Sequence, residues 1–202
     1  MRVIGLTGGI ASGKSTVSRI LREMGAEIVD ADVLAHEVLR PGTEGWAQVV
    51  ATFGNDILRP DGTINRRLLG KKVFPDPEAV RKLNGIVHPR VIRASVERIE
   101  SARRIWGTSQ HLLVIDAPLL IEAGMHTMVD EVWVVKVDEH TQLERLMQRD
   151  KFTIGEAIAR VHAQMPLSEK LTYADRVIDN TGSVESTRSQ IERIWRDIFP
   201  AE

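Results

Sequence analysis

The chain reads as an α/β protein built on a parallel sheet. Short runs rich in Val and Ile alternate with longer segments of helical period, and those runs are mostly uncharged inside, as strands covered on both faces must be. The strand candidates are residues 3–7, 27–30, 112–117, 131–137 and 176–179. Each is short and bounded by turn-forming or polar residues. The best helix candidates are 14–24, 141–150, 154–165 and 184–198; in the last, Val184, Ile191, Ile194, Trp195 and Ile198 fall mostly on one face.

Length and composition bound what such a protein can be. At 202 residues it suits one domain, or one core carrying an inserted subdomain, with enough apolar sequence for a sizeable interior. Lys plus Arg is 27 against 28 for Asp plus Glu, so no overall positive field gathers nucleic acid or an anionic membrane. Cys is absent, which excludes disulfides, thiolate metal sites and a Cys nucleophile, and fits a reducing compartment. The start of the chain turns glycine-rich after a few apolar residues, and no 18-residue apolar run occurs. These features lead to the expectation of a soluble cytoplasmic protein with no nucleic-acid or membrane partner. The oligomeric state is not written in these residues.

Between the second and third strand candidates, residues 41–106 exceed what a simple crossover needs. They hold a Pro60-Asp61-Gly62 turn signal followed by helical-looking, Arg- and Lys-rich sequence. Trp46, Phe53, Leu68, Leu69, Val73 and Leu83 give this stretch apolar residues to bury, so it reads as a helical insertion and not a linker.

The segment Gly8, Gly9, Ile10, Ala11, Ser12, Gly13, Lys14, Ser15 matches G-x-x-x-x-G-K-[ST], and it lies between a strand candidate and a helix candidate. Glycines let successive N–H groups turn inward toward phosphate oxygens, and the helix opening at Lys14 adds its dipole. Lys14 reaches the β- and γ-phosphates, the Ser15 hydroxyl can ligate Mg²⁺, and Thr16 completes the first turn. A glycine-rich turn without a ligand is the plain alternative, but the full pattern arises by chance in roughly one chain in a hundred of this length. The loop by itself says nucleoside triphosphate. A switch GTPase would also carry Asn-Lys-x-Asp, which is absent, and the one Asp-x-x-Gly, Asp179 to Gly182, comes too late in the order.

Open parallel sheets place ligands beyond the carboxyl ends of their strands, which draws attention to two acidic positions. Asp116 closes the apolar run before it and suits Mg²⁺ binding, directly or through water; capping of a following helix is the other reading. Asp32, in Asp30-Ala31-Asp32, could take a proton from an acceptor hydroxyl, or could cap a helix over residues 33–39. Arg145 and Arg149 share one helix face, and Arg160, Gln164 and Lys170 follow; singly they read as surface polar groups, together as a mobile cationic lid. His88-Pro89-Arg90 could be a helix start with Pro in its first turn, or a substrate contact.

Read together, Leu6 to Thr16, Asp30-Ala31-Asp32, His88-Pro89, Asp116-Ala117-Pro118-Leu119-Leu120-Ile121-Glu122, Arg149-Asp150, Gln164-Met165 and Ala174-Asp175 through Asn180 resemble the dephospho-CoA kinase family, in order and over nearly the whole chain. The resemblance implies a P-loop NTPase-type parallel five-stranded sheet flanked by helices, with residues 1–40, 107–140 and 171–202 as nucleotide core, 41–106 as a helical CoA-binding insertion and 141–170 as lid. It implies transfer of the γ-phosphate of ATP, with Mg²⁺, to the ribose 3′-hydroxyl of dephospho-CoA. Asp32 matches the acceptor-side base, Lys14, Arg145 and Arg149 the charge-stabilising cations, and Gly8 through Thr16 the ATP phosphate site. Thr7, His88, Pro118, Leu119 and Glu122 match the acceptor side, while Asn180 and Gly182 lie where such kinases pass adenine. Two positions depart from the commoner family pattern: Ala11 replaces a frequent Gly, which is tolerated if its φ is negative, and Ile121 replaces a frequent aromatic residue.

Overall fold

A computed structural model describes residues 1–200, which fall into two compact units: residues 1–29 with 101–200, and residues 30–100. The first contains the sheet. Its strands are β1 (Arg2–Gly8), β2 (Glu27–Asp30), β3 (Leu112–Asp116), β4 (Glu131–Lys136) and β5 (Arg176–Asp179), in the order β2-β3-β1-β4-β5. β1 is central and parallel to both neighbours, with Leu6 level with Asp116 on one side and with Trp133 on the other. The chain leaves β1 for one edge and β3 for the other side of β1, so the strand order reverses at β1. Open α/β sheets bind ligands at that crevice.

Burial explains why the runs of Val, Ile and Leu are continuous and not alternating. All five residues of β3 are buried, and so are the middle four of β4, as expected for strands with helices on both faces. The helix α1 (Lys14–Glu23) lays Val17, Ile20 and Leu21 on Ile4, Leu6, Leu112 and Trp133. At the end of the chain α9 (Val184–Ile198) adds Ile191, with Ile194, Trp195 and Ile198 half-buried against the same cluster. Three further helices complete this unit: α6 (Glu139–Asp150), α7 (Ile154–His162) and α8 (Leu167–Leu171). α7 opens with a capping box between Thr153 and Glu156.

The second unit is helical: α2 (Ala31–Glu37), α3 (Glu44–Phe53), α4 (Arg66–Val73) and the part of α5 (Pro77–Trp106) up to Glu100. It has its own core of Val49, Phe53, Ile57, Ile64, Leu69 and Val73, with Trp46 and Leu83 half-buried against it. Leu68 is the exception among the apolar residues expected inside, standing 38% exposed on the outer face of α4. The Pro60-Asp61-Gly62 turn is present and brings Leu58 and Ile64 into an antiparallel bridge.

Pro89 does not start a helix, contrary to one reading of His88-Pro89-Arg90. It lies inside the 30-residue α5. Proline removes one i→i−4 bond, the one to the Gly85 carbonyl, and crowds the preceding turn, yet the helix runs on through it. Among the described residues no helix is long and apolar enough to cross a membrane.

Candidate functional site

The loop between β1 and α1 is shaped by one glycine that nothing could replace. Gly13 holds φ +83, and a Cβ on it would stand 1.9 Å from Asn180 Nδ2. That approach is used: Asn180 Nδ2 donates to the Ser12 carbonyl at 2.8 Å, while its Oδ1 accepts from Thr187 Oγ1 at 2.9 Å. The Asn180 side chain is buried and ties the loop to α9 through one amide donor and one acceptor lone pair. Gly182 lies on the exposed bend after β5.

Ala11 departs from expectation. Its φ is +58, in the left-handed region, where a Cβ costs roughly 1–2 kcal/mol. The loop therefore carries strain at the position where a Gly would carry none.

Two residues of α1 meet the end of β3. Lys14 Nζ donates to Asp116 Oδ1, and Ser18 Oγ donates to Asp116 Oδ2. Asp116 caps no helix, because the residues after it form turns, so the capping alternative falls. Ser18 escaped the sequence reading, although it lies four residues beyond Lys14 and therefore on the same helix face. Ser15 is exposed at the N-terminus of α1.

The segment after β3 is tied down from two sides. The Pro118 carbonyl accepts from Thr7 Oγ1 at 3.2 Å and from Lys170 Nζ at 3.3 Å, and Lys170 also donates to Glu122 Oε1 at 2.7 Å. Thr7, Pro118 and Glu122 are thus brought together, with Leu119 partly exposed between the last two. Lys170 is wholly buried on α8, which corrects its placement among mobile lid cations.

The two arginines of α6 differ. Arg145 Nη2 donates to the Asn180 carbonyl at 3.0 Å, and its Nη1 is buried with no partner among the described residues, 3.5 Å from where a Cβ on Gly13 would be. A guanidinium nitrogen with free donors beside a phosphate loop is chemically suited to an anion. Arg149 is instead paired with Asp150 through Nε and Nη2 at 2.9 and 2.8 Å, which raises its pKa above the ordinary value. Arg160 sits 5.2 Å above the Phe152 ring. Two glutamines reach the loop as well: Gln164 Oε1 accepts from the Ile10 N–H at 2.7 Å, and Gln142 Nε2 donates to the Ile10 carbonyl at 2.7 Å. Gln142 carried no signal in the sequence.

In the second unit, Asp30 and not Asp32 caps α2. Its Oδ1 accepts from the N–H groups of Asp32 at 2.8 Å and Val33 at 3.2 Å, which leaves the exposed Asp32 side chain outside the cap. Burial pushes the Arg66 guanidinium below its ordinary pKa, and the nearby Asp32 carboxylate opposes that shift. A cavity of about 460 Å³ in this unit is lined by Arg40, Arg59, Arg66, His36 and His88 on a wall that includes Leu39, Leu69 and Leu83, with no carboxylate in its lining. Burial pushes the His88 imidazole below its ordinary pKa.

Residues 2–186 match the family model described as dephospho-CoA kinase. The chain is 51% identical over 197 residues to a dephospho-CoA kinase of Geobacter metallireducens, covering 98% of this chain and 96% of that one. It is 52% identical over 203 residues to a dephospho-CoA kinase of Carboxydothermus hydrogenoformans, covering 96% of each. Its structure matches that of a dephospho-CoA kinase from Campylobacter jejuni with a TM-score of 0.74 at 28% identity, covering 97% of this chain and 96% of the other.

Proposed function

The chain belongs to the dephospho-CoA kinase family, and from that premise we propose how its residues transfer the γ-phosphate of ATP to the ribose 3′-hydroxyl of dephospho-CoA. The observation that carries the proposal is the loop of Gly8 to Thr16 at the reversal point of the sheet, with Lys14 anchored on Asp116 at the end of the neighbouring strand.

The acceptor O3′ forms a bond to the γ-phosphorus as the bond from that phosphorus to the β,γ-bridging oxygen breaks, and ADP leaves. The proton of the 3′-hydroxyl goes to Asp32. Two features support that role: the Asp32 side chain is exposed, and the capping work is done by Asp30. Loop N–H groups, the N-terminus of α1 and Lys14 hold the β- and γ-phosphates. Arg145 meets charge developing on the equatorial oxygens with its unpartnered Nη1, and Arg149 takes part after release from Asp150.

The donor set fits Mg²⁺. Ser15 offers an exposed hydroxyl and Asp116 a carboxylate, both hard oxygen ligands, and Mg²⁺ in such sites is bound by one or two protein groups together with phosphates and water. When bound, the ion neutralises phosphate charge during the transfer. On the acceptor side, Arg40, Arg59 and Arg66 supply positive charge for a diphosphate, and the apolar wall suits a pantetheine arm. His88 lines the same cavity, and Thr7, Pro118, Leu119 and Glu122 form the acceptor side of the sheet unit. Adenine of ATP passes the segment from Asn180 to the bend at Gly182. We assign residues 1–40, 107–140 and 171–202 to the nucleotide core, 41–106 to the acceptor insertion and 141–170 to the lid, in a soluble cytoplasmic enzyme. The cations that hold polyanionic substrates are local, which reconciles this function with a nearly neutral net charge.

The test is product identity. Incubation with ATP, Mg²⁺ and dephospho-CoA yields a product one phosphoryl group heavier, substituted at the 3′ position. Faster turnover of AMP or another hydroxyl acceptor would sink the assignment.

A further inference from the structure

The phosphate loop is fastened to the lid at one residue. Ile10 has both main-chain polar groups bonded to side chains from elsewhere: its N–H to Gln164, in the link between α7 and α8, and its carbonyl to Gln142 on α6. The glycine next to it makes this possible, since a Cβ on Gly9 would stand 2.8 Å from Gln142 Nε2. On the other side is Ala11, held at φ +58. A residue in that region persists only where its surroundings over-determine it. Here the surroundings are four bonds on the three residues that flank Ala11: Ser12 N–H to the Gly9 carbonyl at 3.0 Å, Asn180 to the Ser12 carbonyl, and the two glutamines on Ile10.

Without the glutamines, the residue before Ala11 loses both of its tethers. Ala11 is then free to relax to negative φ, which turns the peptides on either side and aims their N–H groups away from a common centre. Neither glutamine has to touch the nucleotide for this to weaken phosphate binding. We propose that Gln142 and Gln164 are positioning residues that hold the phosphate loop in its anion-accepting form, so that the affinity for ATP depends on the docked lid. Movement of the lid then loosens the loop and promotes nucleotide release.

The strain at Ala11 gives the proposal a distinctive test, because a glycine there adopts positive φ without cost. The dissociation constant of ATP with Mg²⁺ is measured by calorimetry for the unsubstituted protein, for Gln142→Met with Gln164→Met, and for the same pair in an Ala11→Gly background. Loss of the two hydrogen bonds is expected to weaken ATP roughly 10-fold or more when Ala11 is kept. In the Ala11→Gly background the same pair is expected to cost under about 3-fold, because little strain then remains for the bonds to oppose. Equal weakening in both backgrounds, or no weakening in either, overturns the proposal. If the double variant does not fold, as judged by circular dichroism, Gln142→Met and Gln164→Met are read singly against both backgrounds by the same criterion. The inference rests on the loop being the ATP phosphate site. Failure of the unsubstituted protein to bind ATP sinks that reading and the proposal with it, whereas background-independent weakening sinks the fastening alone.

Discussion

Lys170 and Glu122 offer a sharp test of how the segment after β3 is held. The Lys170 side chain is 1% exposed and the Glu122 side chain 22%, so the two ends of this ion pair are not equally buried. Removing one partner of a buried pair strands the other, at a cost of about 3–5 kcal/mol when the remaining charge is fully enclosed. Glu122→Leu strands the deeper charge and leaves Lys170 with only the Pro118 carbonyl at 3.3 Å, so it is expected to cost about 3–5 kcal/mol. Lys170→Met leaves a carboxylate that water can still reach, and solvent screening reduces the loss to about 1–3 kcal/mol. The double variant replaces the pair by apolar groups and is expected to recover much of the stability lost by Glu122→Leu. Urea denaturation followed by circular dichroism gives all three values. The reasoning is refuted if Lys170→Met costs more than Glu122→Leu, or if the double variant loses the sum of the two.

Three further outcomes follow from the geometry and the charges. Gly13→Ala places a methyl group 1.9 Å from Asn180 Nδ2 at φ +83, and is expected to cut ATP affinity at least ~10²-fold; adding Asn180→Ala removes the clash but not the φ penalty, so only part of the affinity returns, as a nucleotide titration would show. On the pH axis, burial lowers the His88 pKa below its ordinary 6.5, so as pH falls through 6.5 the unfolded chain takes up a proton before the folded one. The stability supplied by the neutral ring is therefore complete above 6.5 and lost progressively below it. Asp179 behaves in the acid range: the Lys136 ammonium at 2.9 Å and the Thr181 N–H hold its pKa at about 2 against an ordinary 3.8. Its contribution is present above 3.8 and disappears as pH falls through about 2, and melting curves of His88→Gln and Asp179→Asn across pH separate the two windows.

How much of this was legible in the sequence varied with how local the cause was. β1, the loop and α1 follow from glycine spacing and from apolar runs, which are properties of neighbouring residues, and the five strands were placed to within a residue or two for the same reason. Pro89 misleads, because proline ordinarily marks a helix boundary, while here α5 continues past it. Asp30 and Asp32 are two residues apart and either could cap α2; only the backbone geometry at Asp30 decides. Lys170 reads as a solvated cation because nothing near it in sequence announces Glu122, 48 residues earlier. Gln142 and Asn180 are the same kind of case, since their partners lie 132 and 168 residues away. Ala11 shows the converse: its residue type argues for negative φ, and long-range bonds override it.

The central claim is that this chain moves the γ-phosphate of ATP onto a hydroxyl deprotonated by Asp32. Single-turnover transfer from ATP to dephospho-CoA by the Asp32→Asn variant tests it most directly. The account predicts a rate lower by roughly 10²–10⁴ with the dissociation constant for ATP changed less than about 2-fold. Transfer at the unsubstituted rate would contradict it.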